Sequence, residues 1–245
     1  MDNKYTFSTD KTHLTIYNDD CLMVLKDIKD NTIDLVVTDP PYRIVSGGGT
    51  IIPRKDEPKG IFNRRDIRTK DNAKNGKLFD FNSIKFSDWL PDVYRVLKPK
   101  AHCYIMINAR NLKDLQVDCE KVGFIFQNIL VWKKNNATPN RYYLNNCEFI
   151  LMLRKENAKN INEMGTKNVL EFNNILGNKL HPTQKPIDLL EVLIKNSSNI
   201  GDIILDPFAG SGATLLASKR LSRNAIGIEL DKTYFDVAKE YIKNE

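Results

Sequence analysis

Seven apolar runs, several of them continuous and rich in β-branched residues, alternate with amphipathic stretches along most of the sequence. Nothing else in the chain restricts its fold as strongly. A continuous apolar run suits a strand covered on both faces, whereas a half-exposed strand would alternate apolar with polar residues. Such runs lie at 14–17, 33–38, 102–108, 124–132, 148–153, 202–206 and 225–230. Helical periodicity marks 21–28, 87–98, 111–122, 186–198, 211–221 and 232–243. Gly123 follows the third of these helices as a C-terminal stop, and Pro91 is expected near the start of its own, where proline is tolerated. Strands interleaved with helices predict an α/β fold with a doubly wound, mostly parallel, seven-stranded sheet.

The length of 245 residues fits one domain spanning 1–245. Two stretches break the alternation: 43–86, polar and basic, and 155–180, rich in Asn, Lys and Gly. They are expected as inserts, because loops this long usually carry function or lack order. Between 53 and 77, nine Lys/Arg face four Asp/Glu, so this stretch supplies +5 of a net charge of +6. That imbalance fits either a polyanionic partner or a solvated loop. No apolar run approaches the roughly 20 residues that cross a bilayer, and the N-terminus has no apolar signal core, so the expectation is no membrane contact and a cytoplasmic location. Cys21, Cys103, Cys119 and Cys147 stand far apart, as do His13, His102 and His181. Neither a disulfide framework nor a metal site is expected from that scatter.

Two stretches carry chemistry. The run IDLVV ends in TDPPYRIVSGGG, residues 38–49. Two consecutive prolines lack amide donors and force the preceding residue out of helical geometry, so the strand must stop there. An ordinary turn explains the stop but not the acid Asp39 or the ring of Tyr42. The second stretch, ILDPFAGSGATLLASKRLSRNAIGIELD, reads as strand, small-residue turn, helix, strand and carboxylate. Gly210 and Gly212 let a backbone approach a ligand at a helix N-terminus, although GSG alone also fits a tight strand–helix turn. No Gly-Lys-Ser/Thr follows, which excludes a Walker phosphate loop. Leu215 stands where a dinucleotide fingerprint places its third glycine. Glu229, seventeen residues after Gly212, is placed to hold both hydroxyls of a ribose. The turn therefore suits an adenosine-containing ligand without a pyrophosphate.

Asp39-Pro40-Pro41-Tyr42, His181-Pro182-Thr183-Gln184-Lys185-Pro186 and Asp206-Pro207-Phe208-Ala209-Gly210-Ser211-Gly212 together resemble the beta group of S-adenosylmethionine-dependent DNA amino-methyltransferases. The resemblance covers 13–243, with the two inserts outside it. It implies a Rossmann-like methyltransferase sheet, circularly permuted so that the catalytic tetrapeptide precedes the cofactor turn. It implies S-adenosyl-L-methionine as cofactor and no metal. By this resemblance the NH₂ of the target base donates to the Asp39 carboxylate and the Pro40 carbonyl, Pro41 stiffens the corner, and Tyr42 stacks on a base swung out of the duplex. The cofactor set is Asp206, Pro207, Phe208, Ala209, Gly210, Ser211, Gly212, Thr214, Glu229 and Leu230, with His181, Thr183 and Lys185 at its methionine end. Asp20 is placed near the adenine of the cofactor, or else caps the helix at 21–28.

The implied substrate is DNA. Arg64, Arg65 and Arg68 are expected on backbone phosphates, and Asn135, Asn136, Arg141 and Tyr142 beside the target base, with Trp132 in the core. Base recognition falls to 43–86 and 155–180. Asp at the head of the tetrapeptide favours adenine N6 over cytosine N4 in this family. Methylation of RNA or of a protein glutamine fits less well, because those relatives usually begin the tetrapeptide with Asn and place the glycine turn first. A non-catalytic nucleic-acid-binding module would not need Asp39, Tyr42, Lys185 and Glu229 together. A cognate restriction endonuclease is an expected partner, and the enzyme acts as a monomer or homodimer.

Overall fold

The computed structural model describes residues 3–41, 84–138, 142–175 and 184–245. The chain divides into two units, Met1–Pro40 with Phe86–Glu245, and Pro41–Lys85. Every helix and strand below belongs to the first. Of the second, Pro41, Ile84 and Lys85 are among the described residues.

In chain order the elements are β1 (Lys4–Ser8), β2 (His13–Tyr17), α1 (Cys21–Asp27), β3 (Ile33–Thr38), α2 (Phe86–Val96), β4 (Leu97–Ile107), α3 (Leu112–Val122), β5 (Ile125–Thr138) and β6 (Asn145–Arg154). Then follow β7 (Val169–Glu171), α4 (Ile187–Ser197), β8 (Ile203–Asp206), α5 (Ala213–Arg220), β9 (Asn224–Ile228) and α6 (Lys232–Asn244). They build one nine-stranded sheet in the order β1-β2-β9-β8-β3-β4-β6-β5-β7. The run from β2 to β4 is parallel throughout. Strand β6 lies antiparallel between β4 and β5. All seven expected strands are present, and the sheet extends by one strand at each edge. Both additions lack a buried run: β1 alternates exposed and half-buried residues, and β7 has three residues with only Leu170 buried.

The parallel centre is dry. Leu35, Val36 and Val37 of β3, Ile204 and Leu205 of β8, and Ile105 of β4 are each 0% exposed. A buried side chain of this kind contributes about 1.5–3 kcal/mol of apolar transfer. Helix ends follow their sequences. Asp20 caps α1 by accepting from the Leu22 amide at 2.9 Å, and Gly123 closes α3 with φ +114°. Pro91 departs from expectation. Helix α2 begins at Phe86, so the proline lies in the second turn and forfeits one backbone bond there. Burial of Trp89, Leu90, Val93 and Val96 offsets that loss.

The polar stretch after β6 is held down by backbone and amide bonds. Asn162 donates from its side chain to the carbonyls of Lys195 and Ser198 at 2.7 and 2.9 Å, and Asn196 Oδ1 accepts from the Glu163 amide. Lys155 buries its ammonium against Asn31 Oδ1 and the carbonyls of Tyr94 and Leu97. This anchors 155–171 to the ends of α2 and α4 and delivers β7 to β5 in parallel.

Candidate active site

Strands β3 and β8 are parallel neighbours, with Val36 opposite Leu205. Their carboxyl ends therefore emerge side by side, and one carries Asp39 and the other the turn that starts at Asp206. A side-chain bond joins the two corners: Thr38 Oγ1 donates to Asp206 Oδ1 at 2.7 Å. Two segments far apart in sequence thus share one edge of the sheet, where open α/β sheets bind ligands.

Asp206 is 4% exposed. Burial pushes its carboxyl up to about 6, although bonds from Thr214, Thr38 and the Phe208 amide oppose the rise and the charge of Asp39 adds to it. Buried Thr214 thus engages Asp206 within the fold. Phe208 packs edge-on against Trp89 of α2, centroids 5.2 Å apart. The indole Nε1 of Trp89 is buried without a hydrogen-bond partner among the described residues.

The small-residue turn passes from Ala209, whose amide donates to Ile228 O at 2.8 Å, to Gly212 at φ +81°. In that left-handed region a side chain costs roughly 1–2 kcal/mol. Helix α5 therefore starts at Ala213, two residues later than its apolar pattern. The third glycine of a dinucleotide fingerprint lets helix and strand approach, and here the partner strand supplies that room. A Cβ on Gly227 of β9 would lie 2.6 Å from Leu215 Cδ1. Leu215 is fully buried in the space so created.

Glu229 leaves the end of β9. Its Oε2 accepts from the Gly210 amide and its Oε1 from the Asp231 amide, both at 2.8 Å. Burial raises its carboxyl to about 7, against the two amides that lower it, with Asp231 and Asp206 adding to the rise. Each carboxylate oxygen has a second lone pair, so two ligand hydroxyls can still be accepted. Asn18 fixes the following backbone by donating to the carbonyls of Glu229 and Leu230. Asp20 is seen in its capping role. The donor set fits a nucleoside: an oriented acceptor pair, a glycine at φ +52° beside it, and buried Ser211 in the same turn.

On the other side of the edge, Pro40 is buried and Asp39 half-buried. Burial raises the Asp39 carboxyl, Lys185 lowers it, and Glu148 raises it, with a net rise. Lys185 was expected at the methionine end of a cofactor. Its ammonium lies 2.6 Å from Asp39 Oδ2 and 3.2 Å from Glu148 Oε2. Glu148 Oε1 accepts in turn from Lys134 Nζ at 2.9 Å. Burial would raise Glu148, but the two lysines outweigh it and hold its carboxyl low. Glu148 and Lys134 were missed from the sequence. The available signal was an acid directly heading the buried run of β6. Because β6 is antiparallel to β4, its first residues reach the same edge as the last residues of β3.

Of the expected DNA contacts, Asn135 is exposed and its Oδ1 accepts from the Asn174 amide at 2.9 Å. Asn136 has a buried Oδ1 without a partner among the described residues. Tyr142 is 82% exposed, and Tyr143 and Leu144 beside it are exposed too. Trp132 is core, as expected, with Nε1 bonded to Phe172 O. Tyr42, Arg64, Arg65, Arg68, Arg141, His181 and Thr183 lie outside the described residues.

The family of N6/N4 methyltransferases described as DNA methylase matches residues 33–240. The Type II methyltransferase M.HpaI of Haemophilus parainfluenzae is 32% identical over 249 residues, covering 91% of this chain and 72% of that protein. The crystal structure of an M1.HpyAVI–SAM complex superposes with a TM-score of 0.67 at 30% identity, covering 93% of this chain and 99% of that one. The cytosine-N4-specific PvuII DNA methyltransferase gives 0.69 at 17% identity, covering 94% and 90%, a likeness of fold alone.

Proposed function

The chain belongs to the DNA methylase family of N6/N4 amino-methyltransferases, and from that premise we propose that it methylates the exocyclic N6 of adenine in DNA. The observation that carries the proposal is the shared edge of β3 and β8. There an amine acceptor, Asp39, and a nucleoside-shaped turn are tied together by the Thr38–Asp206 bond.

S-adenosylmethionine is the cofactor, and when bound it supplies a methyl group made electrophilic by its sulfonium. Glu229 accepts from the ribose hydroxyls, and the Gly210–Gly212 turn admits the nucleoside backbone-close. Asp39 and the Pro40 carbonyl accept hydrogen bonds from the two N–H groups of the amine, which localises a lone pair otherwise delocalised into the ring. Because the prolines fix that carbonyl, little reorganisation accompanies reaction. The base must leave the stack to reach the edge, and Tyr42 stacks on it there. The hairpin of β5 and β6, with Asn135, Asn136, Arg141 and Tyr142, flanks the base, and Arg64, Arg65 and Arg68 hold phosphates. The inserts 43–86 and 155–180 read the site. The order of motifs supports a circular permutation: β2, β9, β8 and β3 adjoin although β8 and β9 come last in the chain. The Type II relatives support a companion restriction endonuclease with the same recognition sequence.

Adenine rests on Asp39 at the head of the tetrapeptide. Cytosine N4 is the second reading, because the fold is shared with an enzyme specific for it. Transfer of a labelled methyl group to DNA, followed by digestion to nucleosides, decides between them. N6-methyl-2′-deoxyadenosine is expected, and N4-methyl-2′-deoxycytidine overturns the assignment. Asp39→Asn is expected to lower transfer by about 100-fold or more.

A further inference from the structure

Asp39 sits at one end of a chain of alternating charges. Lys134 on β5 bonds Glu148 on β6, Glu148 bonds Lys185 just before α4, and Lys185 bonds Asp39 at the end of β3. Lys185 is 8% exposed at its side chain, and Glu148 and Lys134 are 24% and 11%. These are not surface pairs of the kind that contribute little. Burial of like and unlike charges is costly unless each is bonded, and this array bonds each of them.

The geometry also divides the labour between the oxygens of Asp39. Oδ2 is taken by the ammonium at 2.6 Å. Oδ1 has no hydrogen-bond partner among the described residues and remains for an incoming donor. A carboxylate free to rotate about its terminal torsion would present either oxygen in a broad range of directions. One pinned oxygen removes that freedom.

We propose that Lys185 and Glu148 are positioning residues for Asp39: Lys185 pins Oδ2 so that Oδ1 meets the amine, and Glu148 holds Lys185 in place. The inference rests on Asp39 being the amine acceptor. It gives Lys185 a part in orienting the acceptor and removes it from the cofactor's carboxylate. Among the described residues, the charged groups facing Asp39 are Lys185, Glu148 and, from β8, Asp206, with Lys134 one step behind Glu148. Lys185 favours the ionised form of Asp39, and Glu148 opposes it. Removing one or the other must therefore displace the titration of Asp39 in opposite directions. A role in packing alone predicts no such opposition.

The test uses the full chain, duplex DNA and saturating S-adenosylmethionine, with kcat/KM for DNA followed against pH. Lys185→Met is expected to lower kcat by about 10–100-fold and to move the acid limb to higher pH, with unchanged affinity for the cofactor by calorimetry. Lys185→Arg restores part of kcat, since it returns a cation to the same carboxylates. Glu148→Gln moves the acid limb to lower pH. An acid limb that stays in place in both Lys185→Met and Glu148→Gln overturns the proposal. So does a Lys185→Met protein with weaker cofactor binding and normal kcat at saturation. If Lys185→Met does not fold, the opposed shift in Glu148→Gln and the retained limb in Lys185→Arg decide the matter. Asp39→Asn separates the two levels. Full transfer by that variant removes the functional reading itself, whereas lost transfer with unmoved limbs in the other variants removes only the positioning array.

Discussion

Replacing Glu229 with glutamine is expected to change how stability depends on pH. In the folded chain burial raises this carboxyl from an ordinary 4.5 to about 7, despite two backbone amides aimed at it. The rise of about 2.5 units corresponds to roughly 3 kcal/mol at 1.36 kcal/mol per unit. Its sign follows from proton binding. Between pH 4.5 and 7 the folded state holds a proton that the unfolded state has released, so stability falls as pH rises through that window. Below the unfolded value the cost is absent, and above about 7 it is complete. Equilibrium urea unfolding of the wild-type chain and Glu229→Gln at pH 5 and pH 8 isolates the group, because the other titrations occur in both proteins. The wild-type chain should lose about 2.5 kcal/mol more across the interval than the variant does, since at pH 5 part of the cost is already present. Binding should report the same carboxyl from the other side. Ribose hydroxyls donate to the ionised form, so wild-type affinity for S-adenosylmethionine should fall towards a limiting tenfold per pH unit below 7. The variant should bind more weakly and lack that component. Equal pH dependence of unfolding in the two proteins would show that Glu229 is not held in a costly site, and the ribose assignment would lose its physical basis.

Gly227→Ala places a Cβ 2.6 Å from Leu215 Cδ1 and 3.0 Å from Ala209 Cβ. The expected cost is about 1–3 kcal/mol by overpacking, read from thermal unfolding. Combined with Leu215→Ala, the loss should fall short of the sum of the single losses; strict additivity would mean that the two side chains do not compete for space. Neutralising Arg64, Arg65 and Arg68 together should reduce the slope of log K against log salt for DNA binding by about 3. An unchanged slope would place all three off the phosphates.

The fold was legible wherever burial imposes a run. The strands at 33–38, 148–153 and 202–206 lie deep in the sheet, and their continuous apolar segments coincide with β3, the centre of β6 and β8 to within a few residues. The missed strands are edges. In Lys4–Ser8 only one face needs covering, so the polar alternation of KYTFS resembles a loop. In Val169–Glu171 a single buried Leu170 gives no period to detect. Pairing, not composition, makes these residues strands. Pro91 was read as tolerated near its helix start, yet a start at Phe86, one residue before the expected 87, leaves it inside the helix, where its missing amide forfeits a backbone bond.

The site divides along a similar line. Asp39, Asp206 and Glu229 could be found because each follows a parallel strand, and the ends of parallel strands converge on one edge whatever the order of connection. Glu148 obeys the opposite rule. It begins its strand, and only the antiparallel setting of β6 brings a first residue to the edge where the others finish. Direction of a strand is a property of the assembled sheet, so the sequence EFILML carries the acid without its meaning. Lys185 illustrates the same limit from the side of charge. Its position before α4 marked it as a cation near the edge, yet two half-buried carboxylates, Asp39 and Glu148, compete for it, and which one faces it depends on β3 and β6 being packed together. Residues that act through the chain's own ends of strands are thus readable one motif at a time. Residues that act through another side chain become visible only when both strands are in place.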